Sequence, residues 1–307
     1  MSLKDIKLKI KSIDRTRKVT KAMEAVSAVK MRKSQVRALT TRPYASAALS
    51  ILERMSVSLA SLHHPLTAVR PLTKAAVVVV TSDKGLCGVL NAAALKEASA
   101  VVQSLGLPKE SLSIYAFGRK GAEFFERRGY TVVERSENVS DDILIPDLAR
   151  VSADISRAFA EKQFDRVDIV YTNFKSTFEQ KAISHQILPL SLENISTMVD
   201  GILPVRGKFA DARTETPKGP AAYTIEPSSE SVLDALLPHL VSTLLFHALL
   251  ETKASEHSAR MVAMKNASDK SRDRSKSLTR TFNKARQAMI TREVSEIVGG
   301  IEAMATN

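Results

Sequence analysis

The residues best placed for chemistry sit in SDKGLCG, residues 82–88. An apolar run precedes this segment and a helix-type segment follows it, so its backbone N–H groups could cradle a phosphate. Its glycines, Gly85 and Gly88, match neither G-x-G-x-x-G nor G-x-x-x-x-G-K-[ST]. An ordinary tight strand-to-helix turn explains them better. Cys87, the one cysteine, could be an activated thiol at a helix N-terminus. No histidine lies near it in sequence, and a small residue packed in a turn is the better reading. Asp83, Asp141, Asp142 and His185 fall at strand ends or in loops, but no spacing joins them into a catalytic set. The pair His63-His64 invites a metal, yet no third ligand stands nearby and Pro65 follows. The residues themselves point to no cofactor, no metal and no catalytic site.

The elements that carry these residues alternate. AAVVVV reads as a buried parallel strand. After the turn come VLNAAALKEASAVVQSLG as helix, LSIYAFG as strand, RKGAEFFERRG as helix and YTVVER as strand. ILIPDLARVSADISRAFAEKQF is then helix, and RVDIVYTNF and AISHQILPL are strands. Such alternation predicts a Rossmann-like α/β layer with a mostly parallel sheet over residues 74–203. Residues 204–228 hold Pro204, Gly207, Pro217, Gly219 and Pro220 and read as a connector.

Two long helices flank this domain. Residues 1–60 start with Ser2 and Asp5 at capping-box spacing. Ile6, Ile10 and Ile13 open a coiled-coil seam that continues through Thr16, Thr20, Met23, Ser27 and Met31. Pro43 is expected to kink this helix. Residues 229–307 form the second helix. Its one proline is Pro238, expected to bend the base, and its first glycine is Gly299. The fold class expected is therefore mixed α+β and α/β: an antiparallel coiled coil of the two termini, forming one discontinuous shaft, beside a Rossmann-like domain. The second helix is longer by about 15 residues, so about 20 Å of it must project alone.

Charge follows the same division. The net charge is +12 over 307 residues, with residues 1–42 at +10, 43–250 at −2 and 251–307 at +4. Basic ends suit an acidic protein, an anionic membrane surface or nucleic acid. A basic coiled-coil adaptor for nucleic acid is the runner-up reading. It is weakened by the absence of a recognition module and of aromatics before Tyr44. The single cysteine fits a reducing compartment. The start of the chain has no long apolar core of a secretory signal, and no apolar run approaches the roughly 20 residues of a membrane span.

Three segments carry a resemblance. ASEHSARMVAMKNASD and FNKARQAMITREVSEIVGG are similar to the C-terminal signature of the γ subunits of F-type ATP synthases. LKDIKLKIKSIDRTRKVTKAMEAVSAVKMRK resembles that family's opening helix, and SDKGLCG resembles the strand–turn motif of its middle domain. The resemblance spans the whole chain. It implies a non-catalytic central-stalk rotor subunit. In that family the terminal helices turn inside a ring of α and β subunits, which hold the nucleotides, and the foot meets the ε subunit and the membrane-embedded c-ring. It implies contact with β through Met23, Arg286, Gln287 and Thr291, with Lys18, Lys21 and Lys30 around Met23 attracting an acidic lever. It implies a foot contact near the c-ring through Glu226. It also implies a place on the cytoplasmic face of a bacterial plasma membrane, as a peripheral part of the complex. The segment SRDRSKSLTR, residues 271–280, is more basic and polar than the resemblance leads one to expect. No second thiol is present for a redox switch of the chloroplast kind.

Overall fold

The computed structural model describes residues 2–59, 64–191, 193–194 and 228–305, with side chains at 39–59, 229–230 and 302–305 left aside. Helix α1 spans Leu3–Leu59. Its start is a capping box: the Asp5 N–H donates to Ser2 Oγ at 3.2 Å and the Ser2 N–H to Asp5 Oδ2 at 3.1 Å. The helix continues through Pro43 without a break. The last helix, α5, spans Ser229–Ala305 and carries Pro238 inside it. Ser242 Oγ donates to the Pro238 carbonyl at 3.1 Å, adding a side-chain bond within this turn of the helix. The expected connector, residues 204–228, lies outside the described residues apart from Ser228.

Between the long helices lie β1 (Ala75–Val80), α2 (Leu90–Ser104), β2 (Leu112–Phe117), α3 (Arg119–Glu126), β3 (Thr131–Ser136), α4 (Ile145–Ala160), β4 (Arg166–Phe174) and β5 (Gln180–Leu188). They form a five-stranded sheet of order β3-β2-β1-β4-β5. All pairings are parallel except β4 with β5. That exception follows from sequence: the five residues between the strands cannot hold a crossover, so β4 and β5 form a hairpin. The chain reverses its winding direction between β1 and β4, which makes this the topological switch point of the sheet.

Period-two alternation divides β1 between two cores. Ala76, Val78 and Val80 face one, with Leu148, Ile155 and Phe159 of α4 and Leu237, Leu244 and Leu249 of α5. Ala75, Val77 and Val79 face the other, with Ala98 and Val102 of α2 and Phe125 of α3. The apolar run LVSTLLFHALL is thus the core-facing part of α5.

The chain divides into two compact units: residues up to Val26 with those from Met261 on, and Ser27–Arg260. The first unit is a helix pair. On α1, the residues withdrawn from solvent include Leu3, Ile6, Ile10, Ile13, Arg17, Thr20 and Glu24, in alternating steps of 3 and 4, with Asp14 and Met23 beside them. On α5 they include Met264, Ser268, Ser271, Ser275, Leu278, Phe282 and Ala285, in steps of 4 and 3. This is the heptad seam of a coiled coil. Ser275 Oγ donates to Asp14 Oδ1 at 3.0 Å and sets the register. Burial on α5 stops at Ala285, where α1 begins, so the helices run antiparallel. The expected seam needs one correction. Thr16 is exposed while Arg17 is half-buried, because strict 3–4 stepping from Ile13 lands on 17.

Candidate partner interface

From Arg286 to Ile301 every residue of α5 is exposed. The helix runs on to Ala305, so about 20 residues, roughly 30 Å, continue past the start of α1. This is longer than the 20 Å expected from segment lengths, because α5 is 77 residues against 57 for α1. Ile290, Val294, Ile297 and Ile301 lie in steps of 4, 3 and 4 and are each about half or more exposed, with Met289 and Val298 beside them. An apolar stripe with a polar surround marks a binding surface.

Arg286, Gln287 and Thr291 lie at the start of this overhang. Thr291 Oγ1 donates to the Gln287 carbonyl at 3.0 Å, which turns its hydroxyl back on its own helix and presents its methyl group outward. The hydroxyls of exposed Thr16, Thr279 and Thr281, and of Thr20 in the seam, each bond likewise to a carbonyl four residues earlier. These hydroxyls are satisfied without a partner. Met23 is half-buried on α1. The Asp14–Ser275 register sets it beside residues near Asn266, so about 20 residues, or 30 Å of helix, separate it from Arg286. The structure therefore groups Arg286, Gln287 and Thr291 and leaves Met23 apart from them. Glu226 lies outside the described residues. In the 271–280 segment, Ser271, Ser275 and Leu278 supply the seam while Arg272, Arg274, Lys276 and Arg280 are exposed. Its basic character belongs to the outer face.

The SDKGLCG turn sits at the switch point, and its polar groups are engaged within the chain. The Ser82 N–H and Oγ both donate to Asn91 Oδ1. Asn91 Nδ2 lies 3.3 Å from Cys87 Sγ, which is buried. Arg260 Nη2 donates to the carbonyl of Gly85 at 3.3 Å and to Glu256 Oε1 at 2.6 Å. Asp83 accepts from the N–H groups of Arg119 and Asn138, tying together the loops after β1, β2 and β3. His185 on β5 lies against Tyr171, and burial lowers its pKa. His64 caps a short 3-10 turn, its Nδ1 accepting from the Leu66 N–H; its pKa too is lowered by burial, partly opposed by Asp234.

Sequence reading missed how α5 holds the sheet. Beyond Val170, β1 no longer pairs with β4. Side chains of α5 take its place: the Thr172 N–H donates to Thr252 Oγ1 at 3.1 Å, Ser255 Oγ donates to the Thr172 carbonyl at 3.2 Å, and the Phe174 N–H donates to Glu251 Oε2 at 2.7 Å. Burial pushes the Glu251 carboxyl up to about 7, against the opposing pull of the Phe174 N–H. The available signal was ETKAS, polar residues directly after the apolar run.

The ATP synthase family model matches residues 2–304. The chain belongs to the ATP synthase gamma-chain family. The ATP synthase gamma chain of Heliobacterium modesticaldum is 36% identical over 303 residues, covering 98% of this chain and 99% of that one. That of Pelotomaculum thermopropionicum is 37% identical over 99% of each. Among solved structures, the mitochondrial ATP synthase of Euglena gracilis in an OSCP/F1/c-ring assembly contains a chain that aligns with a TM-score of 0.62. It is 18% identical and covers 98% of this chain and 94% of that one. A second Euglena gracilis structure, of the rotor, aligns at 0.60 with 18% identity, covering 94% of this chain and 98% of that one. At such identities these structures speak for the fold. None of these relatives supports the nucleic-acid adaptor reading.

Proposed function

We propose that this chain is the central-stalk rotor of an F-type ATP synthase, coupling proton-driven rotation of a c-ring to ATP synthesis or hydrolysis in a ring of α and β subunits. The observation that carries this reading is the unaccompanied end of α5, exposed from Arg286 to Ile301 with its apolar stripe. A shaft in a bearing needs apolar, weakly adhesive contacts along its sides and polar contacts that form and break with angle. The self-bonded threonines suit the first need, and Arg286 and Gln287 suit the second. Met23, with Lys18, Lys21 and Lys30 around it, takes the acidic lever of β; Arg286, Gln287 and Thr291 take β nearer the tip. The foot, including Glu226, meets ε and the c-ring. In this reading residues 1–60 and 229–307 are the shaft, 74–203 the globular domain and 204–228 its connector. The chain itself carries out no catalytic step and binds no nucleotide. It lies at the cytoplasmic face of a bacterial plasma membrane, held there through the complex.

The test is a truncation. Remove residues 287–307, reconstitute the whole complex in vesicles and measure ATP synthesis driven by an imposed proton gradient. The expected result is a marked loss of synthesis with the assembled complex still present. An undiminished rate in the truncated complex would remove the tip from the coupling path.

A further inference from the structure

A twist applied to the α/β domain must reach the long helices, and apolar packing resists sliding poorly because it has no direction. Directional bonds between the two are therefore informative. Within the Ser27–Arg260 unit Lys30, Lys33 and Arg37 of α1 direct theirs to the loop joining β3 to α4, and α5, which also bonds to β4 and to the turn after β1, reaches the same loop. Asp141 Oδ2 accepts from Lys30 Nζ of α1 at 2.7 Å. Asp141 Oδ1 lies 2.9 Å from His257 Nε2 of α5 and 3.6 Å from Lys253 Nζ. Lys253 also donates to the Val139 carbonyl at 2.6 Å. Asp142 pairs with Lys33 at 2.6 Å, and Arg37 donates to the carbonyls of Asp141 and Ile143. One short loop thus takes bonds from both helices.

An ionised carboxylate can only accept, so His257 Nε2 carries the proton given to Asp141, while His257 Nδ1 lies 3.5 Å from Arg260 Nη1. The His257 and Lys30 hydrogen bonds, with the nearby Lys253 charge, hold the Asp141 carboxyl well below the usual carboxylate range despite its partial burial. His257 and Lys253 are largely buried, unlike the surface ion pairs whose contribution is small. The loop is itself anchored to the sheet, since the Asn138 N–H donates to Asp83.

We propose that this loop is the grip through which the α/β domain passes torque to both long helices, with Asp141 as the positioning residue that clamps α1 to α5. The proposal rests on the rotor reading. It adds a specific place where the load crosses from sheet to shaft, and it makes the stiffness of that crossing depend on one carboxylate.

The test uses the assembled complex, with the α and β ring immobilised and a probe attached to the α/β domain of this chain. Angular fluctuation of the probe during catalytic pauses reads torsional stiffness, and unloaded ATP hydrolysis is measured on the same preparation. Asp141→Asn should widen the angular distribution while unloaded hydrolysis persists, and Asp141→Glu should restore much of the stiffness. Lys253→Gln removes one leg of the clamp and should soften it less; it also serves if Asp141→Asn fails to assemble. Unchanged stiffness in the assembled variants would overturn the proposal. So would equal softening in Asp168→Asn, a variant that disturbs the Arg166 pair elsewhere in the domain. Failure of the parent complex to rotate at all would instead count against the rotor reading.

Discussion

Replacing Glu251 by Gln tests how α5 is fastened to the sheet. Glutamine keeps an acceptor for the Phe174 N–H, which donates to Glu251 Oε2 at 2.7 Å, and carries no charge. The Glu251 carboxyl is pushed from 4.5 up to about 7 by burial. At about 1.4 kcal/mol per pH unit, that difference corresponds to about 3 kcal/mol. The sign follows from linkage. Below pH 4.5 the carboxyl is protonated in both folded and unfolded chains and has no charge to bury. As pH rises from 4.5 through 7, the unfolded chain ionises first, so the relative stability is lost progressively and the loss is complete above 7. The variant has no such dependence. In urea unfolding of the purified chain, Glu251→Gln should exceed the parent by up to about 3 kcal/mol at pH 8.5 and approach it near pH 4.5. A difference that stays constant with pH, or a variant less stable than the parent at pH 8.5, would refute the reasoning. The first result would mean that the carboxyl titrates normally. The second would mean that its charge is compensated more strongly than the geometry indicates.

Two further substitutions probe neighbouring features. Thr252→Ala should leave the buried Thr172 N–H without its acceptor and cost about 1–3 kcal/mol. Thr252→Ser should recover most of this in the same urea titration, and equal losses in both would contradict the bond. At Gly118, φ is +94° and an added Cβ would lie 2.2 Å from the Thr81 carbonyl oxygen. Gly118→Ala should therefore cost well over about 1 kcal/mol, and an unchanged melting temperature would show that the β2–α3 turn can yield.

Periodicity made the fold legible. AAVVVV, RVDIVYTNF and the intervening helices stand close to where the sequence sets them, because burial on both faces leaves uninterrupted apolar runs and helices repeat at 3.6. At position 43 the helix span runs on through the proline. Thr16 misled because threonine is neutral as to burial, and only the 3–4 count separates it from Arg17. In the candidate interface, Arg286, Gln287 and Thr291 are exposed. The apolar stripe beyond them was written in the sequence but could not be told from a buried one without knowing where α1 begins. Asp141 and Asp142 were visible as loop acids. Their partners were not, because Lys30 and His257 are more than a hundred residues away along the chain.

The way β4 is completed has a genetic consequence. Thr172 and Phe174 offer α5 only main-chain groups, which no substitution on the strand can reshape into better partners. A lesion at Glu251, Thr252 or Ser255 thus has no local suppressor on β4. Revertants should be found on α5 itself, at the altered position or among its helical neighbours, so selection acts on one side of this contact alone.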